Sequence, residues 1–305
     1  MASEPRDHDA LRKADARQIV DTLIEERATK LMARPLAWAL ARRFVFPALR
    51  YREAIRWTEE IHGLPQAEVM TFASDALQLK TTISGLDRVP KRGRLIIVAN
   101  HPSGIADGLA VYEALKSVRP DMIFFANRDA LRVAPGLEDL IIPVEWIEEK
   151  RTRADSRETL RRAIDAFKDE RCVVIFPSGR LAKRVGLTLR ERPWLETPVS
   201  FARKFDAPIT PLHITGRNSI LYYLLDLVSE ELKNMTLFRE LINKRNAKYN
   251  LCFGAPIDAA AFADPKQDQA ATRALQRYVE ARGPCGDVSF ADARARAIEP
   301  GTQKP

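Results

Sequence analysis

From residue 80 to residue 255 the chain alternates short apolar runs with longer amphipathic ones. "LIIVAN" is apolar up to its closing Asn and "CVVIF" is apolar throughout, the pattern of strands buried on both faces. "LKTTIS" reads as a β-branched strand, and "MIFFAN", "LIIPV", "APITPLHIT" and "YNLCFG" supply the others. Between them lie helical patterns. "GLAVYEALKSV" carries Leu109, Tyr112 and Leu115 at helical spacing, and "SRETLRRAIDAFKDE" places Leu160, Ile164 and Phe167 on one side. Further helices are expected near "PVSFARKF", from about Ser219 to Lys244, and in "DQAATRALQRYVEARG". Strands alternating with helices predict an α/β fold, a single mixed, largely parallel sheet flanked by helices. Residues 1–62 are expected as an N-terminal helical segment and 63–283 as the α/β domain. Residues 284–305, weakly periodic, are expected as a loose tail.

The N-terminal segment has a pattern of its own. "ATKLMARPLAWALARRFVFPALRYR" holds Lys30, Arg34, Arg42, Arg43, Arg50 and Arg52 and no acidic residue, interleaved with Leu36, Trp38, Leu40, Phe44 and Phe46. Pro35 fits a helix start and Pro47 a kink or break. Two readings fit this stretch: a helix lying in a lipid interface, or an ordinary amphipathic helix packed on the domain with its arginines in water. No run approaches the roughly 20 apolar residues that span a bilayer, and the polar N-terminus is not a secretory signal. The expectation is a protein at the cytoplasmic face, peripheral where it meets a membrane.

Composition narrows the partners. At 46% hydrophobic and 30% charged the chain belongs with folded globular proteins, not disordered ones. Its formal net charge of +8 points to anionic partners: nucleic acid, anionic lipid or phosphorylated substrates. Nucleic-acid binding would interleave basic and aromatic residues on a sheet face or a recognition helix. The basic clusters instead flank a loop and an apolar helix, so no nucleic-acid partner is expected. Cys172 and Cys252 lie in strand-like runs and read as small core residues in a reducing compartment, with Cys285 incidental. No metal-ligand spacing and no glycine-rich phosphate loop appears.

Two loops carry the candidate chemistry. In "IIVANHPSGIADG", His101 follows a buried strand and Asp107 lies across a tight Pro-Ser-Gly loop. A carboxylate on one imidazole nitrogen fixes the tautomer and leaves the other nitrogen free to take a proton from a hydroxyl. The same spacing also fits Asp107 as a helix cap and His101 as a turn residue. In "CVVIFPSGRLAKR" a second strand ends in Pro-Ser-Gly and releases Arg180, Lys183 and Arg184. Turn amides and cations of this kind make a seat for a phosphate, or simply a solvated basic loop. His213, inside "ITPLHITG", reads as a core or strand-end residue. Ser178 lacks the Gly-x-Ser-x-Gly setting of a hydrolase nucleophile.

Together the loops resemble the glycerolipid (lysophospholipid) acyltransferase family, whose members join a fatty acyl thioester to a hydroxyl of a lipid acceptor. The family's Asn-His-spacer-Asp motif reads "NHPSGIAD" here, and its Phe-Pro-x-Gly motif reads "FPSG". "ISGLDRVPKRGRLIIVANH" is similar to the Gly-x-x-x-x-Pro lead-in, and "APITPLHITG" to the late Pro-containing strand. The resemblance covers roughly residues 78 to 255 in family order. The five-residue spacer is most similar to the hemolysin-like and ornithine-lipid branch. Ser178 stands where the family usually has an acidic residue, and Arg128 or Arg132 would supply the arginine of its second motif. The resemblance implies His101 as general base, Asp107 as its orienting partner, and Phe176, Pro177, Ser178 and Gly179 shaping an acceptor pocket, with Arg180, Lys183 and Arg184 beside it. It implies an acyl-CoA or acyl-carrier-protein donor, a lysolipid or glycerol-based acceptor, a membrane surface as partner, and no cofactor, metal or acyl-enzyme intermediate. The alternatives are a non-catalytic lipid-binding protein on the same fold and, suggested by charge alone, a nucleic-acid-binding protein.

Overall fold

The computed structural model describes residues 5–145, 151–186, 188–286 and 288–298. In chain order its strands are β1 (Lys80–Ser84), β2 (Leu95–Ala99), β3 (Ile123–Asn127), β4 (Ile141–Val144), β5 (Cys172–Ile175), β6 (Lys183–Val185), β7 (Thr188–Arg190), β8 (Ile209–Thr215) and β9 (Lys248–Phe253). The chain forms two compact units. One combines residues 1–79, 127–143 and 218–247; the other combines 80–126, 144–217 and 248–305.

The second unit is built on the sheet. Its strands run in the order β1-β9-β8-β2-β5-β3, every neighbouring pair parallel except β8 with β9. The sheet is therefore mixed and mostly parallel, as the alternating pattern predicts. β2 and β5 sit side by side in its middle with every residue buried, which is why their sequences are apolar on both faces. Helices Ile105–Leu115, Arg153–Lys168, Thr197–Phe205 and Asp268–Glu280 complete the unit. The stretch after β5 holds more order than a basic loop: Lys183–Val185 and Thr188–Arg190 pair as an antiparallel hairpin.

The cysteine expectation divides. Cys172 is buried, and burial pushes its thiol up to about 12, so it remains a protonated packing residue. Cys252, expected as an unpaired core residue, is instead disulfide-bonded to Cys285. The pairing joins positions 33 residues apart, so no local pattern could announce it. Past this link, helix Phe290–Ile298 begins with Phe290 packed edge-on against Tyr278, 5.7 Å between ring centroids.

The first unit is helical. Val20, Ile24, Ala28, Phe46, Leu49, Ala54 and Met235 form one core, against which Trp38, Tyr51, Leu232 and Phe238 pack. Pro35 opens its helix at the first turn, as expected. The irregularity expected at Pro47 begins before it, as a widened π turn over Ala41–Val45. No described helix is long and apolar enough to cross a membrane.

Candidate active site

Because β2 and β5 are parallel neighbours, the loops leaving their carboxyl ends emerge side by side, where open α/β sheets collect their ligands. His101 starts one loop and Phe176 the other. Asn100, the last residue before the turn, is buried and ties β2 to the next strand. Its side chain donates to the Ile214 carbonyl (2.8 Å) and accepts from the Ile214 N–H (2.7 Å). The residue that follows is thereby held at a fixed point on the sheet edge.

The His101 ring keeps 19% of its side chain exposed and stacks on Phe176, 4.3 Å between centroids and 26° between planes. Its Nδ1 lies 3.0 Å from Asp107 Oδ2. A carboxylate can only accept, so the proton sits on Nδ1 and Nε2 keeps its lone pair. Asp107 itself is fully buried. Its Oδ2 also accepts the backbone N–H groups of Ser103 (2.8 Å) and Gly104 (2.9 Å). Its Oδ1 accepts the Ser103 hydroxyl, which in turn lies 2.6 Å from the Tyr249 hydroxyl. Since the single serine proton goes to Asp107, the Tyr249 O–H donates to Ser103.

Local backbone makes this possible. Gly104 adopts φ 97°, ψ −140°, a region closed to residues with a Cβ, and this folds two backbone N–H groups onto one carboxylate. The helix therefore begins at Ile105, and Asp107 caps it from the third position, not as the N-cap. The two roles considered for Asp107 are compatible: it completes the first turn of the helix and fixes the histidine. Gly216, just beyond β8, closes the site from another side. A Cβ there would fall 2.9 Å from Tyr249 Cε1 and 3.1 Å from Ser103 Oγ, so only glycine fits without displacing them.

The second loop grips the main chain of His101. Its carbonyl accepts the Ala182 N–H (3.1 Å), and its N–H donates to Glu191 Oε1 (3.0 Å). Glu191 Oε2 accepts the Trp194 indole N–H at 3.3 Å, and Ser178 also faces this carboxyl. Burial pushes the Glu191 carboxyl above the usual carboxylate range, while the hydrogen bonds from the His101 N–H and the Trp194 indole draw it part of the way back. Ser178 donates to the Arg180 carbonyl (2.7 Å), and Gly179, with φ 59°, donates its N–H to the Phe176 carbonyl (3.0 Å) to close the turn. Pro177 is buried and accepts the Leu195 N–H (3.0 Å).

Of the residues singled out in the sequence, His101, Asp107 and Phe176 meet directly, and Ser178 reaches the pair through Glu191. Arg180, Lys183 and Arg184 stand exposed along the turn and β6, Arg184 donating to the Gly186 carbonyl (2.9 Å). Arg132 is engaged within the helical unit by Glu26 (2.8 Å) and Asp129 (3.3 Å). His213 is buried with Nδ1 on the Val279 carbonyl (2.8 Å), and burial holds it below the ordinary histidine range. Asn100 and Gly216 fall inside quoted motifs, whereas Glu191 and Tyr249 carry no local signal. They join the site from 90 and 146 residues away.

Comparison with known proteins bears on the same segment. The family model described as Acyltransferase matches residues 80–215, which contain both loops. A protein of Phocaeicola vulgatus named lyso-glycine lipid O-acyltransferase is 28% identical over 192 residues, 61% of this chain and 67% of that one. A namesake in Bacteroides thetaiotaomicron is 25% identical over 192 residues, 61% of this chain and 69% of its own length. Among solved structures, the 1-acyl-sn-glycerophosphate (LPA) acyltransferase PlsC of Thermotoga maritima superposes with a TM-score of 0.44 at 16% identity, over 91% of this chain and 97% of that one.

Proposed function

We propose that this chain, whose residues 80–215 match the Acyltransferase family model, moves a fatty acyl group from a thioester to a hydroxyl of a lysolipid, with His101 as general base. The observation that carries the reading is a partly exposed imidazole whose Nδ1 is tied to a buried carboxylate, leaving Nε2 to meet a substrate. Nε2 takes the acceptor's hydroxyl proton as its oxygen attacks the thioester carbonyl. The tetrahedral intermediate collapses, the C–S bond breaks, and the imidazolium returns its proton to the departing thiolate. Asp107 stabilises the imidazolium between these steps, as a carboxylate partner does in hydrolase triads. Phe176 forms the wall on which the ring rests. The exposed Arg180, Lys183 and Arg184 suit the anionic end of acyl-CoA or of an acyl-carrier protein.

The test is thiol release. Purified protein is mixed with long-chain acyl-CoA, or acyl-carrier-protein thioester, and a panel of lysolipids that includes lyso-glycine lipid, the acceptor named for the relatives, with lyso-ornithine lipid and lysophosphatidic acid. Release that depends on one acceptor supports the reading and identifies the headgroup. Binding of lysolipid vesicles with no release from either donor would favour a lipid-binding protein on this fold.

A lipid acceptor requires the protein to reach a membrane, and the reading places it peripherally at the cytoplasmic face. The helical unit supports this. Leu36 (83%), Leu40 (59%) and Phe44 (66%) stand exposed among Arg34, Arg42 and Arg43. Helix Ile220–Val228 buries Tyr222 and Tyr223 but leaves Ile220, Leu224, Leu227 and Val228 exposed. Trp38, an obvious anchor by sequence, instead packs inward on Phe46 at 5.6 Å between centroids. Replacing Leu36, Leu40 and Phe44 with Ser is expected to weaken binding to anionic vesicles by roughly tenfold or more. Leu224→Ser with Leu227→Ser is expected to act in the same direction, with turnover of a detergent-dispersed acceptor unchanged. Vesicle sedimentation reads both, and unaltered binding in both variants would remove these faces from the lipid contact.

A further inference from the structure

Glu191 has no place in the chemistry just described, yet its carboxylate is directed at the residue that performs it. We propose that Glu191 is a positioning residue, whose Oε1 holds the His101 N–H and so fixes where the imidazole stands relative to the acceptor hydroxyl. The inference rests on the reading of His101 as the base.

Three observations support it. First, His101 opens a turn, so its N–H has left the β2 ladder and needs an acceptor from elsewhere; Glu191 supplies it at 3.0 Å. Second, the carboxylate is itself braced. Oε2 receives the Trp194 indole N–H (3.3 Å), the Glu191 N–H donates to Glu280 Oε1 (2.9 Å), and the Trp194 N–H donates to Gln276 Oε1 (3.1 Å). Glu280 and Gln276 both belong to helix Asp268–Glu280, so the brace ends on a rigid element and not in a loose turn. Third, the grip is two-sided. The same excursion between β5 and Trp194 gives Ala182 N–H to the His101 carbonyl and Phe176 to its ring face.

A half-buried acid raised by its surroundings is costly to retain unless its hydrogen bonds are needed. Here each of them leads to His101 or to what braces it. A general base displaced by about 1 Å can lose on the order of a hundredfold in rate, because reactive geometry tolerates little error. A residue that acts only through the base should therefore lower kcat and leave acceptor KM nearly unchanged.

The test compares Glu191→Met and Glu191→Gln in thiol release with acyl-CoA and the acceptor that the wild type uses. Met fills the same space without an acceptor oxygen, whereas Gln retains one. Glu191→Met is expected to lower kcat by roughly ten- to a hundredfold with acceptor KM within about twofold and its thermal midpoint close to wild type. Glu191→Gln, its amide oxygen on the His101 N–H and the Trp194 indole contact given up, is expected to recover kcat to within about threefold of wild type. If Gln is as slow as Met, or if Met keeps wild-type kcat, or if the loss lies in KM, the positioning role is overturned. If Met does not fold, the Gln result still decides. A wild type that transfers no acyl group to any acceptor would instead overturn the reading of the site, which separates the two failures.

Discussion

His101→Ala is expected to lower acyl transfer by roughly a thousandfold, the upper-middle range for removing a general base. The structure indicates that the protein should survive the change. The ring is partly exposed, and its loss leaves Asp107 with three of its donors in place: Ser103 N–H, Gly104 N–H and the Ser103 hydroxyl. Asn100 still locks the strand end to Ile214 through two hydrogen bonds. The stability cost should be about 1 kcal/mol, one hydrogen bond and one ring contact. Acceptor-dependent thiol release and thermal unfolding, measured on the same preparation, separate the outcomes. Activity within tenfold of wild type would mean another group takes the hydroxyl proton. A collapse of the melting temperature in step with activity would make His101 a structural residue of the turn.

What the sequence disclosed and what it hid differ in range. β2 and β5 were legible because a strand buried on both faces must be apolar at every position. The loops leaving them were legible because Pro-Ser-Gly cannot continue a strand, and His101 with Asp107 lie close enough along the chain for a turn to unite them. The β6–β7 hairpin was hidden because Lys183, Arg184 and Arg190 dominate its short strands, which have no apolar face to register. Glu191 and Tyr249 were hidden for another reason: each meets the site only after the sheet order brings distant segments together. The Cys252–Cys285 link has the same character. Local physics therefore revealed the candidate pair, while the residues packed around it needed the fold.

The second large effect concerns Asp107, and two substitutions separate its duties. Asp107→Asn keeps the size and an acceptor oxygen for Ser103 N–H and Gly104 N–H, so helix Ile105–Leu115 should still be capped. That same oxygen still accepts the His101 Nδ1–H, and the amide nitrogen takes the place of Oδ1, where it donates to Ser103 Oγ. The tautomer is kept, but the negative charge that would stabilise the imidazolium is lost. Activity should fall by about ten- to a thousandfold with little change in stability. Asp107→Ala has a different signature. It leaves two buried N–H groups and the Ser103 hydroxyl without their acceptor, in a position with no access to water. Activity should be lost, and stability should drop by about 2–4 kcal/mol. Kinetics and urea unfolding of both variants settle the matter. An Asn variant that works normally beside an Ala variant that unfolds would reduce Asp107 to a helix cap. An Asn variant that is folded and slowed assigns it to the imidazole as well.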